Sequence, residues 1–174
     1  LLNHAMALSK AGIRVTVVCP MVNGLPLRHH IEGIEVVRVR YAPRRLQTLA
    51  STGSMYREAR GLKSLLVIPM LLSLVSRMVL ELRRKKAVAY GHWWVPGGLV
   101  AVVAAAIIRR PSIVHLHGSD ASITENKIIR VIASFVIRQA DVCIAVSEEL
   151  AEWGVKVSSR DCRVIPMPID LEHF

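Results

Sequence analysis

The chain has 174 residues, 52% of them hydrophobic and 21% charged, enough apolar material to bury a core and far from a disordered composition, so one domain is expected and a second complete one is excluded. With 23 Lys and Arg against 13 Asp and Glu the formal charge is +10, which favours an anionic partner such as nucleic acid, an acidic lipid surface or a phosphorylated substrate. Aromatics make up only 5%, and no basic stretch is interleaved with stacking rings, which argues against nucleic acid.

The cysteines Cys19, Cys143 and Cys162 are widely spread, show no zinc-finger spacing, and suit a reduced, cytoplasmic setting. The chain opens on Leu1-Leu2-Asn3-His4, with neither Met nor a basic flank before an apolar run. No signal peptide is read there, and a truncated start is expected.

Leu1 to Lys10 places Leu1, Leu2, Ala5 and Leu8 at helical spacing, with Gly12 as a stop. Ile13 to Cys19, β-branched and ended by Pro20, predicts a buried parallel strand. After a loop at Asn23-Gly24-Leu25-Pro26, Ile34 to Tyr41 alternates apolar residues with Glu35, Arg38 and Arg40, which predicts a half-exposed strand at a sheet edge. Residues 42–61 show no period and are read as a long loop. Leu62 to Lys86 predicts a helix with Pro69 near its start and Arg83, Arg84, Lys85 and Lys86 at its end, where cations complement the helix dipole. Its uncharged run, Leu65 to Val75, is shorter than the roughly 20 residues that cross a bilayer. It is therefore read as a buried helix, with a peripheral basic contact to an anionic membrane as the alternative.

Ala87 to Tyr90 is the next strand, Gly91 to Gly98 the loop leaving it, and Leu99 to Ile108 a core helix. Ile113, Val114 and Leu116 suit a buried strand, and Lys127 to Gln139 a helix with Ile128, Ile129, Ile132, Phe135 and Val136 on one face. Asp141 to Val146 is a strand, Ser147-Glu148-Glu149 opens a helix with a good cap, and Cys162 to Ile165 is a last strand. Helix and strand alternate throughout, which predicts a doubly wound α/β layer with a parallel sheet.

In such a sheet the loops at the carboxyl ends of strands share one rim, where ligands bind. Four of these loops carry chemistry: His92-Trp93-Trp94, His117-Gly118-Ser119-Asp120, Ser147-Glu148 and Met167-Pro168-Ile169-Asp170. Gly118 would let the backbone turn sharply and approach a ligand. A plainer reading stands beside each: His115 and His117 as satisfied strand histidines, Ser119, Asp120 and Ser147 as caps, His92 and Trp93 as an aromatic plug, Asp170 as a strand end. Distributed groups suit a substrate laid across the sheet edge. There is no close-spaced metal-ligand set, no exposed nucleophile of a triad, and no G-x-G-x-x-G after a strand.

The order of these pieces resembles the N-terminal domain of glycosyltransferase family 4, the retaining GT-B enzymes. His4 to Ala11 with Gly12 to Cys19 is similar to that family's first helix and second strand. Gly91-His92-Trp93 with Pro96-Gly97 resembles its His-x-His-Trp loop, and Ile113 to Asp120 its strand ending in His-Gly-Ser-Asp. Ala140-Asp141-Val142 through Val146-Ser147 and Val164-Ile165-Pro166 with Ile169-Asp170 and Phe174 resemble its two later motifs. Met167-Pro168 departs from the family's Asn-Gly and replaces a hydrogen-bonding turn with a stiff one.

The resemblance implies a Rossmann-like single domain over residues 1–174, the acceptor-side half of a GT-B fold, lacking its first strand and its C-terminal donor-binding domain. It implies transfer of a hexose from a nucleotide-diphosphate sugar to a hydroxyl of a lipid, glycan or small molecule, with no cofactor and no metal. His117 is then the catalytic residue, and His92, Trp93, Gly118, Ser119, Asp120, Ser147 and Asp170 bind substrate. The chain alone is expected to be inactive, since the donor's nucleotide would sit on the second domain. A cytoplasmic location, peripheral at the inner face of the membrane, completes this reading. The alternative is a non-catalytic basic α/β module on nucleic acid or anionic membrane.

Overall fold

A computed structural model describes residues 2–50, 58–59, 61–123 and 127–167. It is an α/β fold in two compact units, one reaching to Arg77 and the other spanning Met78–Met167. In the first, helix α1 (Leu2–Lys10) ends at Gly12, whose φ of 81° lets the chain turn back while Ile13 N–H donates to Leu8 O at 3.0 Å. Strand β1 (Thr16–Pro20) pairs in parallel with β3 (Ile34–Val39), and β2 (Arg28–Ile31) pairs antiparallel on the other side of β3.

The strand over Ile34–Val39 is thus central in its sheet and not at an edge. Its charged residues are accommodated across the hairpin: Arg28 Nη1 lies 2.6 Å from Glu35 Oε1, and Arg38 Nη1 donates to Pro26 O at 3.0 Å. With these partners supplied, Ile34 and Val37 are fully buried. The β2–β3 turn is the two-residue loop Glu32-Gly33, with φ of 48° and 79°, a conformation that glutamate seldom announces in a sequence.

Helix α2 (Val67–Lys85) follows a 3-10 turn at Gly61–Leu66, with Pro69 in its first turn, where no intrahelical N–H is needed. Gly61–Lys85 together is 25 residues, long and apolar enough to cross a membrane by length and composition only; its uncharged run, between Lys63 and Arg77, is the short one read from the sequence. The helix is also not the buried one expected. It buries Met70, Leu74, Glu81 and Leu82 and leaves Leu65, Ile68 and Leu72 exposed. Lys85 of its basic end pairs with Glu81 at 3.3 Å.

The second unit holds a four-stranded parallel sheet in the order β4 (Ala89–His92), β5 (Ser112–Leu116), β6 (Val142–Ala145), β7 (Arg163–Val164). Helices α3 (Leu99–Ile108), α4 (Lys127–Gln139) and α5 (Glu148–Ser158) connect the strands. The amino ends of β5 and β6 are tied by Asp141 Oδ2, which accepts from Ser112 N–H at 2.7 Å and from its hydroxyl at 3.0 Å. Val114, Leu116, Cys143 and Ala145 of the sheet pack with Trp94, Val102, Val136, Ile137 and Leu150 in one core. The stripe grouped on one face of α4 is divided by this packing: Val136 is buried with Ala133 and Ile137, while Ile128, Ile132 and Phe135 are exposed.

Candidate functional site

The carboxyl rim of the four-stranded sheet gathers the chemistry. β4 ends in His92, and β5 ends one residue before His117. The loop after His92 folds back on its own strand so closely that a Cβ on Gly91 would lie 2.5 Å from Gly97 O, and one on Gly97 would meet His92 O. Only glycine fits at either position, and the crossing pins His92. Trp93 adopts a left-handed φ of 58°, a strained conformation for a bulky residue that persists when its surroundings over-determine it. Its indole lies 5.0 Å from the His117 ring.

His92 Nδ1 and His117 Nε2 are 2.9 Å apart. One imidazole nitrogen must donate and the other accept, so the pair needs at least one neutral ring. Behind them His115, in register with His92 on the neighbouring strand, is 2% exposed and has its ring 4.8 Å from His117 and 5.6 Å from His92. Tyr90 Oη sits 2.8 Å from His115 Nδ1. Burial pushes the Tyr90 hydroxyl up to about 12, so it stays protonated and is suited to donate.

The loop after β5 is closed by Asp120. Its Oδ2 accepts from His117 N–H at 2.8 Å, and its own N–H donates to His117 O at 2.8 Å. Trp94 Nε1–H donates to Asp120 O at 3.3 Å. Only 1% of Asp120 is exposed. Burial pushes its carboxyl up to about 7, opposed by the backbone N–H bonds from His117 and Trp94. Asp120 therefore sets the backbone of His117 from below and does not face solvent.

Gly118 and Ser119 are exposed at the start of a 3-10 turn, Gly118–Ile123. The chain turns tightly here, with Asp120 N–H reaching His117 O, but Gly118 has no left-handed φ and a Cβ there would meet nothing within 4 Å, so the turn does not require glycine. Ser147 lies at the same rim, two residues past β6, where its hydroxyl accepts from Leu150 N–H at 3.3 Å as the cap of α5. Asp170 lies outside the described residues.

The structure thus brings His92, Trp93, His117 and Asp120 together, with Trp94 of the same loop buried beside Asp120, and adds Tyr90 and His115 behind them, which sequence reasoning did not assign to the site. Tyr90 stands two residues before His92 and so on its face of the strand, a signal that was legible. The register that puts His92 against His115 was not.

Comparison with known proteins fits this geometry. The profile of Glycosyltransferase Family 4 matches residues 1–173. TuaC of Bacillus subtilis (strain 168), whose name places it in teichuronic acid biosynthesis as a glycosyltransferase, is 31% identical over 87 residues, 49% of this chain and 22% of TuaC. The match therefore spans about a fifth of that protein's length. The fold superposes on sucrose-phosphate synthase from Thermosynechococcus elongatus with a TM-score of 0.70 at 17% identity, over 99% of this chain and 86% of that one. That likeness carries the GT-B fold, and the match across nearly every residue carries the rest: the chain belongs to glycosyltransferase family 4.

Proposed function

We propose that this chain supplies the acceptor-side half of a retaining hexosyl transfer from a nucleotide-diphosphate sugar to a hydroxyl, with His117 touching the transferred sugar. The observation that carries this reading is the position of the His117 ring. It follows a parallel strand, is hydrogen-bonded to His92, flanked by Trp93, and set from behind by the Asp120 clasp. A ring held on several sides is pre-organised to meet a sugar hydroxyl without paying for its own ordering on binding.

Asp120, buried and committed to the His117 backbone, is not a base for the acceptor. This suits a mechanism in which the donor's own phosphate takes the acceptor proton and the protein half positions the sugar and excludes water. His92 and Trp93 would shape the pocket wall, Gly118 and Ser119 its open side, and Ser147 would extend the rim. No cofactor or metal enters this proposal, and the setting is cytoplasmic.

The test is titration of the full-length protein with nucleotide-diphosphate hexoses by calorimetry, followed by the same titration of His117→Ala. Binding that weakens in the variant, with loss of transfer to a hydroxyl acceptor, is expected. A protein that binds no nucleotide sugar yet retains nucleic acid or anionic vesicles would instead be the basic α/β module.

A further inference from the structure

Helix α4, Lys-Ile-Ile-Arg-Val-Ile-Ala-Ser-Phe-Val-Ile-Arg-Gln, is apolar on both sides. The sheet takes only Ala133, Val136 and Ile137. Ile128, Val131, Ile132 and Phe135, at i, i+3, i+4 and i+7, form a second stripe, exposed by 71%, 68%, 38% and 47%. This is the spacing of a helix face that seeks an apolar medium, and contiguous exposed apolar surface marks interaction sites.

The charges on the helix itself have one sign. Lys127, Arg130 and Arg138 lie on the helix, which contains no acidic residue. Arg109 and Arg110, past the end of α3, line an open groove of about 420 Å³ together with Phe135, Ile107 and Ala106. Arg160 reaches the end of the helix, donating to Arg138 O at 2.5 Å and to Asp141 O at 2.8 Å. The one acid lining the groove is Asp141, whose carboxylate already accepts from Ser112.

From this arrangement we infer that the exposed face of α4 is a docking surface for an anionic lipid bilayer. Its apolar stripe enters the acyl boundary, and the surrounding cations meet acidic headgroups. An interfacial helix of this kind binds in proportion to its buried apolar area and to its attraction for anionic lipid. A second copy of the chain fits the face less well, because an isologous contact would set Lys127 and Arg130 near their own counterparts. An apolar protein partner would leave the ring of cations unmatched. Helix α2 and the 3-10 turn before it also expose Leu62, Leu65, Ile68 and Leu72, but the described cation among them, Lys63, lies 3.5 Å from Glu58. Leu80, also exposed, carries that stripe to within one turn of Arg83, though at this end Lys85 pairs with Glu81. On α4 the cations Lys127 and Arg130 stand within the same turns as the stripe itself, and the inference does not depend on the sugar-transfer reading.

The experiment is co-sedimentation of the full-length protein with phosphatidylcholine vesicles, with and without phosphatidylglycerol, read beside thermal melts. Binding to the anionic vesicles is expected. In Ile128→Ser/Val131→Ser it should weaken about tenfold or more with the melt unchanged, as both side chains are exposed. In Lys127→Gln/Arg130→Gln it should weaken about tenfold at low salt and by less at high salt, since each such charge contributes a several-fold factor near the surface. The inference is overturned by absence of binding to anionic vesicles, or by binding that both variants leave intact. Loss on Arg83→Gln/Arg84→Gln instead would also overturn it, as would a solution mass that halves in the apolar variant, which would identify a second copy as the occupant.

Discussion

His92 Nδ1 and His117 Nε2 lie 2.9 Å apart at the carboxyl ends of adjacent parallel strands. The contact ties two loops that the chain separates by more than twenty residues, and it makes His117 a ring whose orientation is set before any ligand arrives. Replacing His117 by Ala in the full-length protein should lower kcat about 100-fold, the scale of a misplaced substrate. Being partly exposed, it should cost little stability. His115→Ala is the paired control: a fully buried ring stacked among Tyr90, His92 and His117 leaves a cavity, and a loss of about 2–4 kcal/mol is expected. Kinetics and melts on both variants check the division, and an equal effect on stability would remove His117 from the site.

The Asp120 carboxyl gives a pH signature. Its ordinary value of 3.8 is raised by burial to about 7 in the folded chain. Between these values the unfolded chain has released a proton that the folded one still holds, so this group lowers stability as pH rises from about 4 to 7 and adds no further slope above. Asp120→Asn keeps an oxygen to accept from His117 N–H and removes the titration. Melting temperature across that range should therefore fall less steeply in the variant, and parallel profiles would show that Asp120 is not buried as an acid.

Gly91→Ala should be severe. The new methyl would lie 2.5 Å from Gly97 O and 2.6 Å from Gly98 Cα, backbone atoms that cannot rotate away. A loss of about 3 kcal/mol or more is expected from forced backbone displacement, with transfer impaired even at temperatures where the variant is folded, because His92 moves with the strand. Denaturant melts and activity at low temperature separate the two effects.

Gly154→Ala tests the packing of α5 on the sheet. A Cβ there would meet Cys162 Sγ at 2.7 Å and Leu116 Cδ1 at 3.3 Å. Alanine's better helix propensity, about 1 kcal/mol, should be outweighed by overpacking of about 1–3 kcal/mol. Cys162→Ala should relieve the clash, so the double variant should be more stable than the sum of the two single changes, as a double-mutant cycle would read directly. Strict additivity would mean that the helix shifts away without cost.

The α/β class, the parallel strands and the rim that carries His92, His117 and Ser147 were determined by the sequence itself. Apolar periodicity changes between helix and strand, and glycine and proline punctuate those changes, as local sterics and burial require. The family resemblance could likewise be read there, because its motifs lie where strands end. The tertiary structure decided what depends on neighbours distant in the chain. Ile34–Val39 became a central strand because Arg28 and the Pro26 carbonyl supply partners for Glu35 and Arg38. His92 met His115 because register is set by pairing across the sheet, which no local pattern encodes. The stripe on α4 reads as core in one dimension, yet a helix with two apolar faces can lay only one of them on the sheet. The small Ala133 with Val136 and Ile137 packs there, which leaves Ile128, Val131 and Phe135 to the outside.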